Sequence, residues 1–399
     1  MILVSILPSC SQAPETQPMK PFDPVAFHHS ILTIDTHADT PLPIKREAID
    51  LGKRYDPYEY KSQVDLPRMK EGGLDAVFFA VWTHQGARTD SGHAAIKDSA
   101  LAIIDRVNRS IQPYPDLVQL ATEPGDAARL AEQGKHAIYL GMENGYPIGN
   151  DLKNLDLFYD KGVRYVTLCH SKNNNICDSS TDSSEFGGLS PFGYQVVERM
   201  NELGMMVDIS HVSDETVEDV LETSKVPVIA SHSAAKAICD HDRNLNDDLL
   251  TKIAANGGVV QLVILSEYLE VPAPNPARDS ARVALKKKWG PLERIPMEER
   301  ATYRAERRKL NEDYPLELTN VAKAVDHIDH IVKIAGIDHV GIGTDFDGGG
   351  RLSDCYDVSE LPNITIELFK RGYSEEDVRK IWSGNLLRVF EEVQAFRTR

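Results

Sequence analysis

Basic residues are in the minority in this 399-residue chain: 44 Lys and Arg face 61 Asp and Glu, a net charge of −17. Phosphate recognition needs clustered cations, so the balance argues against a nucleic-acid binder. No run of 18 apolar residues is present, and the mean hydropathy is −0.33, so the sequence offers no membrane-spanning helix. Cysteine is scarce, odd in number and scattered, at 10, 169, 177, 239 and 355, without a CxxC pair. A disulfide framework is therefore not implied, and nothing suggests zinc-finger or thioredoxin chemistry. Also missing are a GxSxG elbow, a P-loop, internal repeats and low-complexity tracts, which removes serine-hydrolase and nucleotide-binding readings. With 41% hydrophobic and 26% charged residues, the chain has the material for a large core and is not globally disordered.

The first residues, MILVSILPSC, hold a short apolar run with no basic residue ahead of it. Leu7-Pro8-Ser9-Cys10 resembles the end of a bacterial lipoprotein signal, and a polar, Pro-bearing stretch follows. Residues 1–24 are therefore expected to be a tether or signal remnant. Two locations stay open: the cell envelope with a lipid anchor at Cys10, or the cytoplasm. Beyond that point, short β-branched runs alternate with amphipathic stretches. Eight runs stand out, at 31–36, 76–81, 137–142, 163–168, 205–209, 227–230, 258–263 and 340–344. Helical patterns lie between them at 91–111, 125–133, 191–203, 214–223, 247–256 and 318–334, several opened by a Ser cap such as Ser213 or Ser374. Eight such units predict an α/β fold, one (β/α)8 TIM barrel over residues 25–399, for which about 250 residues suffice. The surplus sits chiefly in a charged helical insertion after the seventh run, at 270–315. That insertion emerges on the catalytic face and suits a lid, an oligomer contact such as a homodimer, or a solvated helix pair.

What stands at the end of each run is the informative feature. Run one ends in Ile34-Asp35-Thr36-His37-Ala38-Asp39, run three in Gly141-Met142-Glu143-Asn144, and run four in Leu168-Cys169-His170. Runs five, six and eight end in Ser210-His211, Ser231-His232 and Thr344-Asp345-Phe346-Asp347. Singly, each is more often a cap or a satisfied core residue. In a barrel, however, every strand delivers its last residues to one mouth, and the set converges. Several histidines plus carboxylates exceed the needs of one tetrahedral zinc and suit two divalent ions sharing a carboxylate. Two such ions hold a hydroxide at neutral pH, so hydrolysis is the natural output. Cys169 and Cys177, in acidic surroundings, read as structural.

IDTHADT, GMENG, RYVTLCHSKNN, VDISHVS, VIASHSAAKAICDHDRN, HVGIGTDFDG and NLLRVFEEV, in that order, resemble the membrane (renal) dipeptidase family of the amidohydrolase superfamily, from about Ile31 to Val393. The resemblance implies two Zn2+ per chain bridged by Glu143 and a hydroxide. His37, Asp39 and Glu143 hold one ion, and Glu143, His211 and His232 the other. It further implies Asp345 as acid/base, His170 at the oxygen of the scissile carbonyl, and Arg243 as the clasp of the substrate's free carboxylate. Arg243 on its own reads as an ordinary loop residue in His241-Asp242-Arg243-Asn244. The expected activity is hydrolysis of small dipeptides, with a D-residue tolerated at the C-terminal position.

Three departures stand beside the presumed pocket or at the terminus. Val263-Ile264-Leu265-Ser266-Glu267 replaces an Asn-Phe pair common in relatives, the insertion is longer than in the animal enzymes, and Ala395–Arg399 lacks the apolar tail of a lipid-anchored animal member. Two alternatives remain at this level. One is a hydrolase of the same superfamily acting on N-acyl amino acids, cyclic amides or lactones, and the other is a metal-free binding barrel.

Overall fold

The computed structural model describes residues 22–290 and 292–398. The Cys10 motif lies outside the described residues. Among the described residues nine strands form one parallel sheet: β1 (Ile34–Ala38), β2 (Ala76–Trp82), β3 (Val118–Leu120), β4 (His136–Glu143), β5 (Val163–Thr167), β6 (Met206–Asp208), β7 (Ile229–Ser233), β8 (Val259–Leu262) and β9 (Val340–Ile342). Their order is β1-β2-β4-β5-β6-β7-β8-β9, with β3 paired to β4 outside the path. The ring closes beyond the formal strand ends: the Asp345 N–H donates to the His37 carbonyl at 2.9 Å, and the Asp39 N–H to the Phe346 carbonyl at 2.8 Å. All eight expected strands are present, so the molecule is a (β/α)8 barrel. β3 is the addition that the sequence did not announce, because three residues with a central Gln carry no periodicity.

Strands covered on both faces read as continuous apolar runs, which explains their legibility. Alternate strand residues divide between two cores. Val77, Phe79 and Val81 meet the surrounding helices, whereas Ala76, Phe78, Tyr139, Tyr165, Met206 and Val259 form a second cluster within the ring. The closing helix Asn385–Ala395 packs Leu386, Val389, Phe390 and Val393 against that inner cluster. The expected caps are made: Ser213 Oγ accepts the Thr216 N–H, and Ser374 forms a capping box with Asp377. Phe22 and Asp23 already belong to the packed body, Asp23 capping the helix Pro24–His28 and Phe22 lying edge-on to Phe369. No helix among the described residues is long and apolar enough to cross a membrane. Cys169, Cys177, Cys239 and Cys355 are buried free thiols, in keeping with structural roles.

The insertion begins after β8 as expected and contains the helices Pro276–Trp289 and Arg300–Asp313. The first is held to the second by Lys288 and Trp289, both on the Glu306 carboxylate. The second docks on the loop that follows β1: Arg300 donates to the Arg46 carbonyl, and Arg307 to the carbonyls of Tyr58 and Glu59.

Behind the barrel mouth, His327 joins three segments and sets a pH limit on the fold. Its Nδ1 accepts the Ala235 N–H at 3.1 Å, which requires a bare nitrogen, while Nε2 donates to the Leu269 carbonyl at 3.0 Å. Burial lowers its pKa from 6.5 to about 4. Above pH 6.5 the imidazole is neutral folded or unfolded; below it the unfolded chain takes up a proton that the folded chain refuses. Stability is therefore expected to fall as the pH drops from 6.5 towards 4, by roughly 3 kcal/mol from this residue. Thermal unfolding of wild type and His327→Gln across that window checks this: their stability difference narrows on acidification, and a constant difference would show the folded histidine free to protonate.

Candidate metal centre

Each candidate side chain reaches the mouth because it stands at or just past the end of a strand. His37 is the fourth residue of β1, Asp39 follows that strand, Glu143 ends β4, and His232 is the fourth residue of β7. His170, His211, Arg243 and Asp345 lie on the loops after β5, β6, β7 and β9. Two of these loops turn immediately: His211 has φ 72° and Asp345 φ 60°, left-handed values that cost a non-glycine residue of order 1 kcal/mol or more.

The side chains converge on Glu143. Its Oε1 lies 3.1 Å from His211 Nε2, 3.4 Å from His170 Nε2 and 3.8 Å from His232 Nε2, and its Oε2 lies 3.4 Å from His37 Nε2. The Nε2 atoms of His211 and His232 are 2.9 Å apart. Three sets of ligand atoms fall within 4.8 Å of one another: His37, Glu143 and His232; Glu143, His170 and His211; and His37, Asp39 and Asp345. Every ligand proposed from the sequence is thus at the mouth, with Glu143 in two of the three sets. Distance alone does not separate His170 or Asp345 from the ligands. Setting does for His170: its side chain is 25% exposed on a loop, whereas His37, His211 and His232 are buried.

Supporting hydrogen bonds, invisible in the sequence, aim the nitrogens. The Tyr165 hydroxyl donates to the Thr36 carbonyl at 3.1 Å, so it accepts from His37 Nδ1 at 2.9 Å and turns Nε2 towards Glu143. The Ser231 hydroxyl donates to Asp208 at 2.6 Å and accepts from His232 Nδ1 at 2.8 Å, which leaves the Nε2 of this neutral imidazole bare. Asp208 is held in turn by the N–H groups of Ser210 and Ser231 and by the Thr167 hydroxyl. Asp35 does equivalent work for β1 and β9, accepting the N–H groups of His37 and Thr344 at 3.1 and 2.8 Å. Outer groups of this kind fix the tautomer and orientation of metal-binding histidines.

The electrostatics call for a cation. Burial, then the Glu143 carboxylate, pushes Asp39 well above the usual carboxylate range. Burial raises Asp345 to about 7, with Glu143 adding to it against the opposing pull of His37. Burial drives His211 and His232 well below the ordinary imidazole range, assisted by Arg243 and by neighbouring histidines. Burial also disfavours the His37 cation, but Glu143 outweighs it and takes His37 up to about 10. His37 and His170 hold Glu143 well below its normal range against the effect of burial. Crowded carboxylates and bare imidazole nitrogens are what divalent ions of the zinc class bind. Among the ligand residues, His37 Nε2, Asp39 Oδ1, Glu143 Oε2 and His211 Nδ1 are buried without a hydrogen-bond partner, and His37 Nε2 and Glu143 Oε2 face each other at 3.4 Å. The residues therefore fit a metal group.

Arg243 corrects its reading as a surface loop residue: it is 5% exposed. It donates to the His232 carbonyl at 3.2 Å, its Nε is unpaired, and its guanidinium stands 5.6 Å over the Tyr268 ring. Gly348 is a further requirement the sequence did not single out. A Cβ there would lie 2.1 Å from Asp345 Oδ1 and 2.2 Å from Asp39 Oδ2, so a side chain would displace both carboxylates.

The model of the membrane dipeptidase family, peptidase family M19, matches residues 25–399. Dipeptidase tcpJ of Claviceps purpurea (strain 20.1) is 34% identical over 337 residues, 83% of this chain and 69% of the relative. Dipeptidase 3 of Rattus norvegicus is 30% identical over 372 residues, 91% of this chain and 65% of the relative. The chain thus spans about two thirds of the length of these curated relatives. The crystal structure of the probable dipeptidase PvdM from Pseudomonas aeruginosa superposes with a TM-score of 0.78 at 33% identity, covering 94% of this chain and 98% of that one.

Proposed function

The chain belongs to the membrane dipeptidase family, peptidase family M19, and is a metallo-dipeptidase; from that premise we propose that it is a dinuclear zinc enzyme with Glu143 shared between the two ions. His37 and Asp39 complete one ligand set, and His211 and His232 the other. The observation that carries this reading is the set of buried, unpartnered ligand atoms gathered around Glu143. When bound, the zinc pair supplies Lewis acidity and brings a water within reach of deprotonation at neutral pH.

The remaining work falls to side chains of the chain itself. Asp345 takes a proton from the attacking water and returns it to the leaving amine, a role its place within 4.8 Å of the His37 and Asp39 ligand atoms suits. His170 is kept neutral chiefly by burial, and its Nδ1 lies 2.8 Å from the Ser171 hydroxyl. With Ser171 donating, His170 Nε2 carries the hydrogen and stabilises charge on the scissile carbonyl oxygen. Arg243 forms no ion pair with a carboxylate among the described residues and clasps the free carboxylate of the substrate. Tolerance of a D-residue beside that carboxylate follows from the family resemblance.

The test compares free dipeptides with dipeptide amides and tripeptides on zinc-loaded protein. Free dipeptides are expected to be preferred by at least about 10²-fold, because an amide leaves a buried guanidinium unpaired, at a cost near 3 kcal/mol. Arg243→Met should lose about 10²-fold in kcat/KM on the free acid, and Arg243→Lys should not restore it, since an ammonium lacks the bidentate fork. Equal hydrolysis of amides and free dipeptides by wild type would overturn the role of Arg243.

A further inference from the structure

Against a net charge of −17, one part of the barrel mouth is basic. Residues 276–314 hold 11 Lys and Arg and 7 Asp and Glu. This insertion lies against the loop after β1, and their junction gathers Lys61, Arg282, Arg307 and Arg351. Arg307, buried, is fixed by the Tyr58 and Glu59 carbonyls at 2.8 and 2.6 Å. Arg351 is held by its N–H on the Ile264 carbonyl at 2.9 Å, and its charge acts on Tyr356, whose ring stacks on Tyr58 at 4.1 Å. Lys61 itself is exposed at the rim, within electrostatic reach of Arg307, Arg351, Arg46 and Arg282.

The nearby acids are engaged elsewhere. Glu47 and Glu59 pair with Arg304 at 3.2 and 3.5 Å, Asp357 with Arg68 at 3.1 Å, and Asp56 caps the helix Pro57–Tyr60. Among the described residues, Lys61, Arg282, Arg307 and Arg351 have no carboxylate ion-pair partner. Like charges held together without a counter-charge cost free energy that an incoming anion removes.

The cluster is joined to the catalytic turn. Gln63, two residues after Lys61, receives the Asp347 N–H at 2.8 Å, donates its own N–H to Asp347 Oδ1 at 2.6 Å, and donates from its side chain to the Gly350 carbonyl at 2.8 Å. The Gly350 N–H is bonded to the Asp345 carbonyl at 2.7 Å, and Arg351 is the next residue. The cations therefore stand on the rim of the same mouth and not on a remote surface.

We propose that this rim is an anion-binding subsite that selects dipeptides carrying an acidic side chain. The proposal rests on the dipeptidase reading and adds the substrate class. The insertion contributes Arg282 and Arg307 to it, and its positive field draws anionic substrates to the mouth of an otherwise acidic protein.

The experiment measures kcat/KM of the zinc-loaded full chain on two isosteric pairs, Glu-Ala with Gln-Ala and Ala-Glu with Ala-Gln. In one pair the acid is expected to exceed the amide by about tenfold at low salt, a factor equal to about 1.4 kcal/mol. The ratio should approach one near 1 M salt, where the Debye length falls to about 3 Å. In the double variant Lys61→Gln/Arg351→Gln the low-salt ratio should drop to within about threefold of one. A wild-type ratio near one in both pairs, or a ratio that neither salt nor the double variant changes, overturns the subsite and leaves the dipeptidase reading standing. Failure to hydrolyse any of the four peptides overturns both.

Discussion

Glu143→Gln is expected to lose zinc and activity together, with turnover below about a thousandth of wild type. The carboxylate faces four imidazoles, with Oε1 at 3.1 to 3.8 Å from His211, His170 and His232 and Oε2 at 3.4 Å from His37. An amide of the same shape fills the space but presents N–H groups on one side, where no cation is accepted. It also removes the negative charge that would hold two divalent ions near each other against their repulsion. The fold should survive, because Glu143 is joined to β2 and β5 through its backbone register with Trp82 and Thr167. Elemental analysis after zinc reconstitution, alongside circular dichroism, checks it. A folded variant with two zincs and near-normal turnover would refute the shared ligand.

Asp345→Asn separates chemistry from structure in the opposite sense: kcat should drop by roughly 10²–10⁴-fold while zinc is retained. A purely structural role, in which Asp345 secures the glycine turn, predicts lost stability with normal specific activity. The turn is in fact secured by the backbone, since the Asp345 carbonyl accepts the N–H groups of Gly348, Gly349 and Gly350 at 3.2, 3.0 and 2.7 Å. Asparagine keeps that carbonyl and tolerates a φ of 60° well. What it cannot do is take a proton from water. Because Asp345 also lies within 4.8 Å of His37 and Asp39 ligand atoms, zinc content is the deciding measurement. Metal lost in proportion to activity would make Asp345 a ligand and not the acid/base.

The sequence announced the metal centre for a reason specific to this fold. His37, Glu143 and His232 each end an apolar run, and in a barrel the end of a run is a position at the mouth. His170, His211 and Asp345 follow within three residues of a strand and share that legibility. Arg243 stands ten residues beyond the end of β7, where chain position says nothing about depth. The loop folds back to bury it against His232 and Tyr268, and no local pattern encodes that return.

The sequence by itself determined the barrel, its helices and the residue types gathered at the mouth, because periodic burial and strand-end placement are local properties written at spacings of two to four residues. Tertiary structure alone decided which nitrogens face the mouth, through Tyr165 on His37 and Ser231 with Asp208 on His232. It alone decided that Gly348 must lack a side chain, that β3 adds to β4, and that the insertion brings its cations to Lys61. Those features depend on groups tens to hundreds of residues apart. Hydrogen bonds and charges act over a few ångströms in space, and only the closed ring of strands fixes which distant residues come within that reach.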